Sequence, residues 1–287
     1  MSRAKAYAEL FKLKQTALLV YSGIFGYFIA AGLDINIVDL SLFIIASFLS
    51  ICGTTGLNMY YDRDIDSVMF RTRNRPLPSN RLDPDEAFAV SMTLAATGIA
   101  IGFFINYWVG IAITLGFLID VYVYTVFLKR RTPLNIVIGA IAGGMPIFGG
   151  YMVYTKQPTL KALLLLLIIA IWAILHIWFI ATYYIEDYQR ANIPMLPVVI
   201  GEEKTIKVSF AGLAILLAIV IAMKILNYAT WFSVSVSLLF TIILAIILIK
   251  YLQTNNKEYV RKAYKILSPY QGILLLVFFI EKILGLV

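Results

Sequence analysis

The stretch Leu40-Ser-Leu-Phe-Ile-Ile-Ala-Ser-Phe-Leu-Ser-Ile-Cys-Gly-Thr-Thr-Gly-Leu-Asn58-Met-Tyr-Tyr-Asp62-Arg-Asp-Ile-Asp66 decides the fold. Its first 22 residues, through Tyr61, carry no charge. About 20 predominantly apolar residues suffice for a helix to cross a bilayer. Acids follow at once. Asn58, Asp62 and Asp66 stand at i, i+4 and i+8, and on a helix each step of four adds only about 40° to a full turn. The three therefore share one side. Acids where a membrane helix meets water are costly unless something cationic occupies the site. The stretch predicts a divalent-metal site at the membrane surface, facing an anionic substrate.

The rest of the chain agrees. Of its 287 residues 61% are hydrophobic and only 14% charged, with a mean hydropathy of +0.86. This is the composition of a polytopic all-α membrane protein. The net charge is +8, but the bases lie between apolar runs rather than in one patch, which argues against a nucleic-acid partner. Cys52 is the only cysteine, so no intrachain disulfide is possible, and its apolar surroundings predict packing. The first fourteen residues are amphipathic, carry Arg3, Lys5, Lys12 and Lys14, and show no small-residue cleavage site, so no signal peptide is expected.

Uncharged runs cover 15–33, 40–61, 132–155, 162–185 and 225–249. The run 87–119 is too long for one crossing. Asn106-Tyr107 breaks it, and its second part extends through Asp120 to Leu128. Residues 208–223 and 266–287 complete nine expected helices in a single domain over 1–287. With the N-terminus inside, 20 of the 24 Lys and Arg fall on the inner side. That asymmetry predicts cytoplasmic polar loops and an outer C-terminus.

Three constellations could carry chemistry. After the second helix, Asp62, Asp64 and Asp66 precede Arg71, Arg73, Arg75 and Arg81. Carboxylates about 5 Å apart repel by roughly 3 kcal/mol at an effective dielectric of 20, so the acidic half wants Mg²⁺, while the arginine forks suit phosphate oxygens. The bland reading, a juxtamembrane salt-bridge loop, suits Arg73 and Arg81 best. A second acidic end is Tyr183-Tyr-Ile-Glu186-Asp187-Tyr188. His176, the only histidine, falls within about 20° of the line through Tyr183 and Asp187, about 16 Å deeper. It is either a core hydrogen-bonder or an acceptor-facing group. The third is Lys129-Arg-Arg-Thr-Pro-Leu-Asn135: topology determinants or anion binders, followed by Pro133 opening a helix with Thr132 as its cap and Asn135 facing neighbours or a ligand. The glycines from Gly139 to Gly150 permit close helix packing or entry of a flat ligand.

Together, Asn58–Asp66, Arg71-Thr-Arg-Asn-Arg-Pro-Leu77, Lys129–Gly139, Glu186-Asp-Tyr188 and Ile193-Pro-Met-Leu-Pro197 resemble the UbiA-type membrane prenyltransferase superfamily, which includes 4-hydroxybenzoate prenyltransferases. Lys129–Gly139 and Pro194-Met-Leu-Pro197 are similar to its protohaem IX farnesyltransferase branch. The resemblance implies nine helices around a central cavity opening to the cytoplasm, in membrane lipid. It implies Mg²⁺ between Asp62, Asp66 and Asp187, with Asn58 as a further polar ligand. Farnesyl diphosphate and haem b would be the substrates, with a downstream haem-modifying membrane enzyme as a further partner. Arg71, Arg75, Lys129 and Arg130 would neutralise the diphosphate. Tyr183 stands where many relatives have aspartate, so it is expected to hydrogen-bond diphosphate rather than bind metal. His176 and Asn135 are the expected acceptor-side residues. A sister enzyme acting on a quinone precursor, chlorophyllide or a lipid shares the metal half. A transporter is the non-enzyme alternative; it is disfavoured because the acids are read at one mouth and no broken helix carries charge at mid-bilayer.

Overall fold

The computed structural model describes residues 3–287, which contain helices and no strand. The helices are α1 (Arg3–Leu10), α2 (Leu13–Ala31), α3 (Ile37–Tyr61), α4 (Arg63–Val68), α5 (Pro84–Ile105) and α6 (Tyr107–Leu118), which runs into a π-helical segment (Ile119–Leu128). Then come α7 (Asn135–Thr155), α8 (Leu160–Tyr183), α9 (Ile185–Arg190), α10 (Leu196–Ile200), α11 (Glu202–Ile225), α12 (Trp231–Thr254) and α13 (Lys257–Ile283). Among the described residues eight helices are long and apolar enough to cross a membrane, with α6 and its π-helical continuation counted as one. The expected first crossing, α2, is not among them, although it packs in the same bundle against α7, α3 and α13.

Local chemistry sets the breaks. Asn106, at φ −168°, turns its side-chain oxygen onto the amides of Trp108 and Val109, each at 3.0 Å, and so divides α5 from α6 where the sequence predicts. Asp83 caps α5 through the Glu86 amide at 2.9 Å, with Pro84 in its first turn. Glu281 is 1% exposed on α13 and accepts from the backbone and hydroxyls of Thr230 and Ser233, at the positive end of α12. This accounts for a buried carboxylate in the last helix.

Several boundaries differ from expectation. The last helix begins at Lys257, nine residues earlier than 266, because Asn256 caps it through the Glu258 amide at 2.9 Å. α7 starts at Asn135 rather than Pro133, with Leu134 as its N-cap and no side-chain cap; the expected cap, Thr132, instead accepts from the Leu134 amide at 3.3 Å in the turn before the helix. α3 stops at Tyr61, and Asp62 (φ −92°, ψ −1°) joins it to the short α4. The glycine run serves two purposes. A Cβ on Gly150 would collide with the Gly23 carbonyl, and one on Gly144 with Leu166, so these positions let α7 lie against α2 and α8. Gly139 and Gly143 instead line a cavity.

Candidate active site

The π-helical segment decides where Lys129 points. In a regular α-helix, residues five apart are about 140° out of line, at about 100° per residue. Here the Lys129 amide donates to the Tyr124 carbonyl at 2.8 Å, an i→i+5 bond that brings the two onto one face. The Lys129 ammonium lies 5.7 Å from the centre of the Tyr124 ring and pairs with Asp62 on α3. Burial is the largest single influence and works to lower the Lys129 pKa, but Asp62, Tyr124 and Asp66 together outweigh it and hold the ammonium above its ordinary value.

The acids and bases predicted from sequence are largely paired with each other. Asp62, Asp66 and Asp187 are 5%, 3% and 7% exposed, so none is a solvated surface acid. Arg75 reaches both oxygens of Asp66 through one Nη1, at 2.9 and 2.7 Å. Asp187, at the start of α9, accepts from the backbone amides of Phe70 (2.9 Å) and Arg71 (3.1 Å), and thereby ties the loop after α4 to the end of α8. Arg130 pairs with Asp64, outside the buried set; the side-chain hydrogen bond between them raises the arginine pKa and lowers the aspartate's. Arg73 lies over the Phe70 ring, and Arg81 binds Glu9 and the Asn74 carbonyl, so both act as loop ties.

The acids do not form one cage. Among the described residues no three His, Cys, Asp or Glu side chains lie close enough to hold a metal ion. One observation nonetheless fits a cation: Asp62 Oδ1 is buried and has no hydrogen-bond partner among the described residues. Mg²⁺ in phosphate chemistry commonly takes one or two carboxylates and completes its shell with water and phosphate oxygens. The donor set fits that arrangement.

Lys12 was not singled out by sequence and belongs near this site. It precedes α2 in the left-handed region, at φ 44°. Burial, then Arg75 and Lys129, lowers its pKa to about 8 against the opposing pull of Asp66 and Asp62. Its sequence signal, one more base ahead of a crossing, looks like any topology determinant.

A cavity of about 250 Å³ with mostly apolar walls lies between α3, α6, its π-helical continuation, α7 and α8. Asp120 and Tyr124 line it, as do Gly139, Gly143, Ala173 and Ile177. Asp120 therefore corrects the reading that all acids sit at the mouth. Asn58 donates to Asp120 Oδ2 at 2.6 Å and accepts from the Thr125 hydroxyl at 2.9 Å, so its amide is already engaged. A second, open pocket lies beside Asp187 and is lined by Phe70, Arg71, Tyr183, Tyr184 and Arg190.

The two residues expected on the acceptor side are not in the cavity lining. His176 stacks on Trp172 (5.0 Å between centroids, 13° between planes) and stands edge-on to Tyr264, with a buried Nδ1 that has no partner among the described residues. Asn135 is fully buried and donates to the Lys129 carbonyl at 3.2 Å, closing the turn into α7.

The sequence profile of the UbiA prenyltransferase family matches residues 19–269. The chain belongs to this family. As a UbiA prenyltransferase it is 43% identical over 272 residues to the protoheme IX farnesyltransferase of Thermofilum pendens, covering 94% of this chain and 96% of that one. It is 38% identical to the protoheme IX farnesyltransferase of Hyperthermus butylicus, over 96% and 94% of the two chains. In fold it is similar to a digeranylgeranylglyceryl phosphate synthase (TM-score 0.81, 22% identity, 99% of each chain). It is also similar to a UbiA homolog from Archaeoglobus fulgidus bound to GPP and Mg²⁺ (TM-score 0.72, 17% identity, 95% of this chain and 99% of that one).

Proposed function

We propose that this UbiA prenyltransferase transfers a farnesyl group from farnesyl diphosphate to the 2-vinyl group of haem b, forming haem O. The observation that carries the reading is an apolar cavity whose lining includes Tyr124, the ring beside the Lys129 ammonium that pairs with buried Asp62, together with a second buried acid–base pair, Asp66 with Arg75. The names of the archaeal relatives, at 35–43% identity over most of the chain, support haem as acceptor. The cavity suits an isoprenoid tail, and the charged mouth suits its diphosphate.

Each part then has a physical task. Lys129 and Arg75 bring fixed positive charge to the leaving diphosphate, the arginine by its planar fork and the lysine as a point charge. Asp62, through its unpartnered Oδ1, would hold Mg²⁺ together with water and phosphate oxygens, and the ion when bound supplies further charge stabilisation of the leaving group. Arg71 and Tyr183 flank Asp187 and are positioned to bond diphosphate oxygens from that side. As the allylic C–O bond breaks, the apolar wall keeps bulk water from the cation. The vinyl group then supplies the electron pair for the new C–C bond. By the distribution of lysine and arginine the charged mouth faces the cytoplasm.

The test is incubation of purified protein with haem b, Mg²⁺ and prenyl diphosphates of several lengths, followed by mass spectrometry. Haem carrying a hydroxyethylfarnesyl group is expected, and excess chelator should stop its formation. A prenylated quinone precursor or lipid with no haem product would overturn the acceptor assignment.

A further inference from the structure

Asp120 is an intramembrane acid that the leaving-group chemistry does not use. It lies in the span Tyr107–Leu128, where an ionisable side chain is costly and calls for a functional reason. Among the described residues it forms no salt bridge, unlike Asp62 and Asp66 at the mouth. Its Oδ2 is held by the Asn58 amide at 2.6 Å. Thr125, whose hydroxyl is 2.9 Å from both Asn58 Oδ1 and the Asp120 carbonyl, fixes which way that amide points. Oδ1 accepts no hydrogen bond among the described residues. The carboxylate lines the cavity, and the segment that carries it is π-helical, a distortion often found at functional sites. Asn58 is one helical turn, about 6 Å, inside Asp62, so Asp120, bonded to it, sits about one turn deeper than the acids proposed to meet the diphosphate.

We infer that Asp120 is the general base for the water that completes the reaction, an assignment that rests on the farnesyl-to-haem reading. The terminal vinyl carbon gives its π pair to farnesyl C1, leaving a cation on the vinyl carbon attached to the porphyrin. A water oxygen donates a lone pair to that carbon. Its proton passes to Asp120 Oδ1, which returns it to solvent after product release. The sum is one water added, one diphosphate released and one C–C bond formed. Without the base, the same cation loses a proton from carbon and yields an alkene lighter by one water.

The experiment is single turnover of wild type, Asp120→Asn and Asp120→Glu with haem b, farnesyl diphosphate and Mg²⁺ in H₂¹⁸O. Diphosphate release is followed, haem products are weighed by mass spectrometry and melting temperatures are recorded. Wild type is expected to give ¹⁸O-labelled alcohol. Asp120→Asn should still release diphosphate and form farnesylated haem, with the ratio of alcohol to alkene lowered at least tenfold, and Asp120→Glu should restore alcohol. Asp120→Asn making alcohol at the wild-type rate and ratio overturns the inference. If Asp120→Asn is inactive in every step, recovery of alcohol in Asp120→Glu supports the role and no recovery overturns it. A wild type that makes no farnesylated haem instead overturns the reaction assignment itself.

Discussion

Three aspartates carry the proposal at the residue scale. Asp62→Ala, Asp66→Ala and Asp187→Ala are each expected to lower turnover by orders of magnitude while the protein still inserts, because each removes a buried carboxylate from the mouth. Turnover with titrated Mg²⁺ and with chelator checks this; near-wild-type rates in two of the three variants under chelator would contradict it. Lys12 gives a pH signature. Its pKa falls from the ordinary 10.5 to about 8, so between those values the unfolded chain binds more protons than the folded one and stability rises with pH. Below about pH 8 the charged ammonium costs the folded state but adds positive charge beside the proposed diphosphate site. Lys12→Met should therefore raise the melting temperature at pH 7, weaken diphosphate binding severalfold, and lose its stability advantage above pH 10.5. Thermal melts and calorimetric titration with diphosphate read the two effects. His176 shows the limit of a helical-wheel argument. Its predicted line through Tyr183 and Asp187 ignores Trp172, one turn away, on which the ring stacks.

The π-helical segment matters most at the element scale. It places Lys129 against Asp62 and Tyr124, and it carries Asp120 into the cavity wall. Deleting Val123 would let the segment close i→i+4 bonds and would rotate Lys129 by about 100° relative to what precedes it. The variant is expected to remain inserted, with turnover at least a hundredfold lower and a modest fall in melting temperature. Turnover unchanged by the deletion would show that the i→i+5 geometry is dispensable. The sequence revealed this element as an apolar run with one acid. Nothing in its composition separates π from α winding, because the choice depends on what Lys129 and Asp120 meet on α3.

The gathering of loops at one end sets the chemistry of the whole molecule. The loop after α4 bonds Asp187, the π-helical segment bonds α3, and Lys257 at the start of α13 pairs with Glu202 at the start of α11 at 3.0 Å. At the other end Lys156 pairs with Asp39 and Glu281 caps α12. A cysteine at Ser79, exposed in the loop after α4, in a Cys52→Ala background is expected to react with an impermeant thiol reagent only from the cytoplasmic side. Labelling from outside sealed cells would invert the topology and move the mouth to the other face.

Much of this was legible in the chain itself. Membrane helices follow from uncharged runs near bilayer length, and the break at Asn106 from a capping side chain between two of them. The acidic motif at Asn58, Asp62 and Asp66, together with the basic stretch from Lys129, pointed to the candidate site and to the superfamily, and the family is the part that the profile match bears out. Tertiary structure decided which charge meets which. Pairing Asp62 with Lys129, separated by 67 positions, requires both the π turn and the packing of two helices. Asp187 ended on the amides of Phe70 and Arg71 because a loop of unpredictable path passed beside it. Asp120 lines the cavity with one carboxylate oxygen held by Asn58, which Thr125 holds in turn, and with the other accepting no hydrogen bond among the described residues. Such partners lie far apart in sequence and leave no periodic trace, so only the folded bundle could name them.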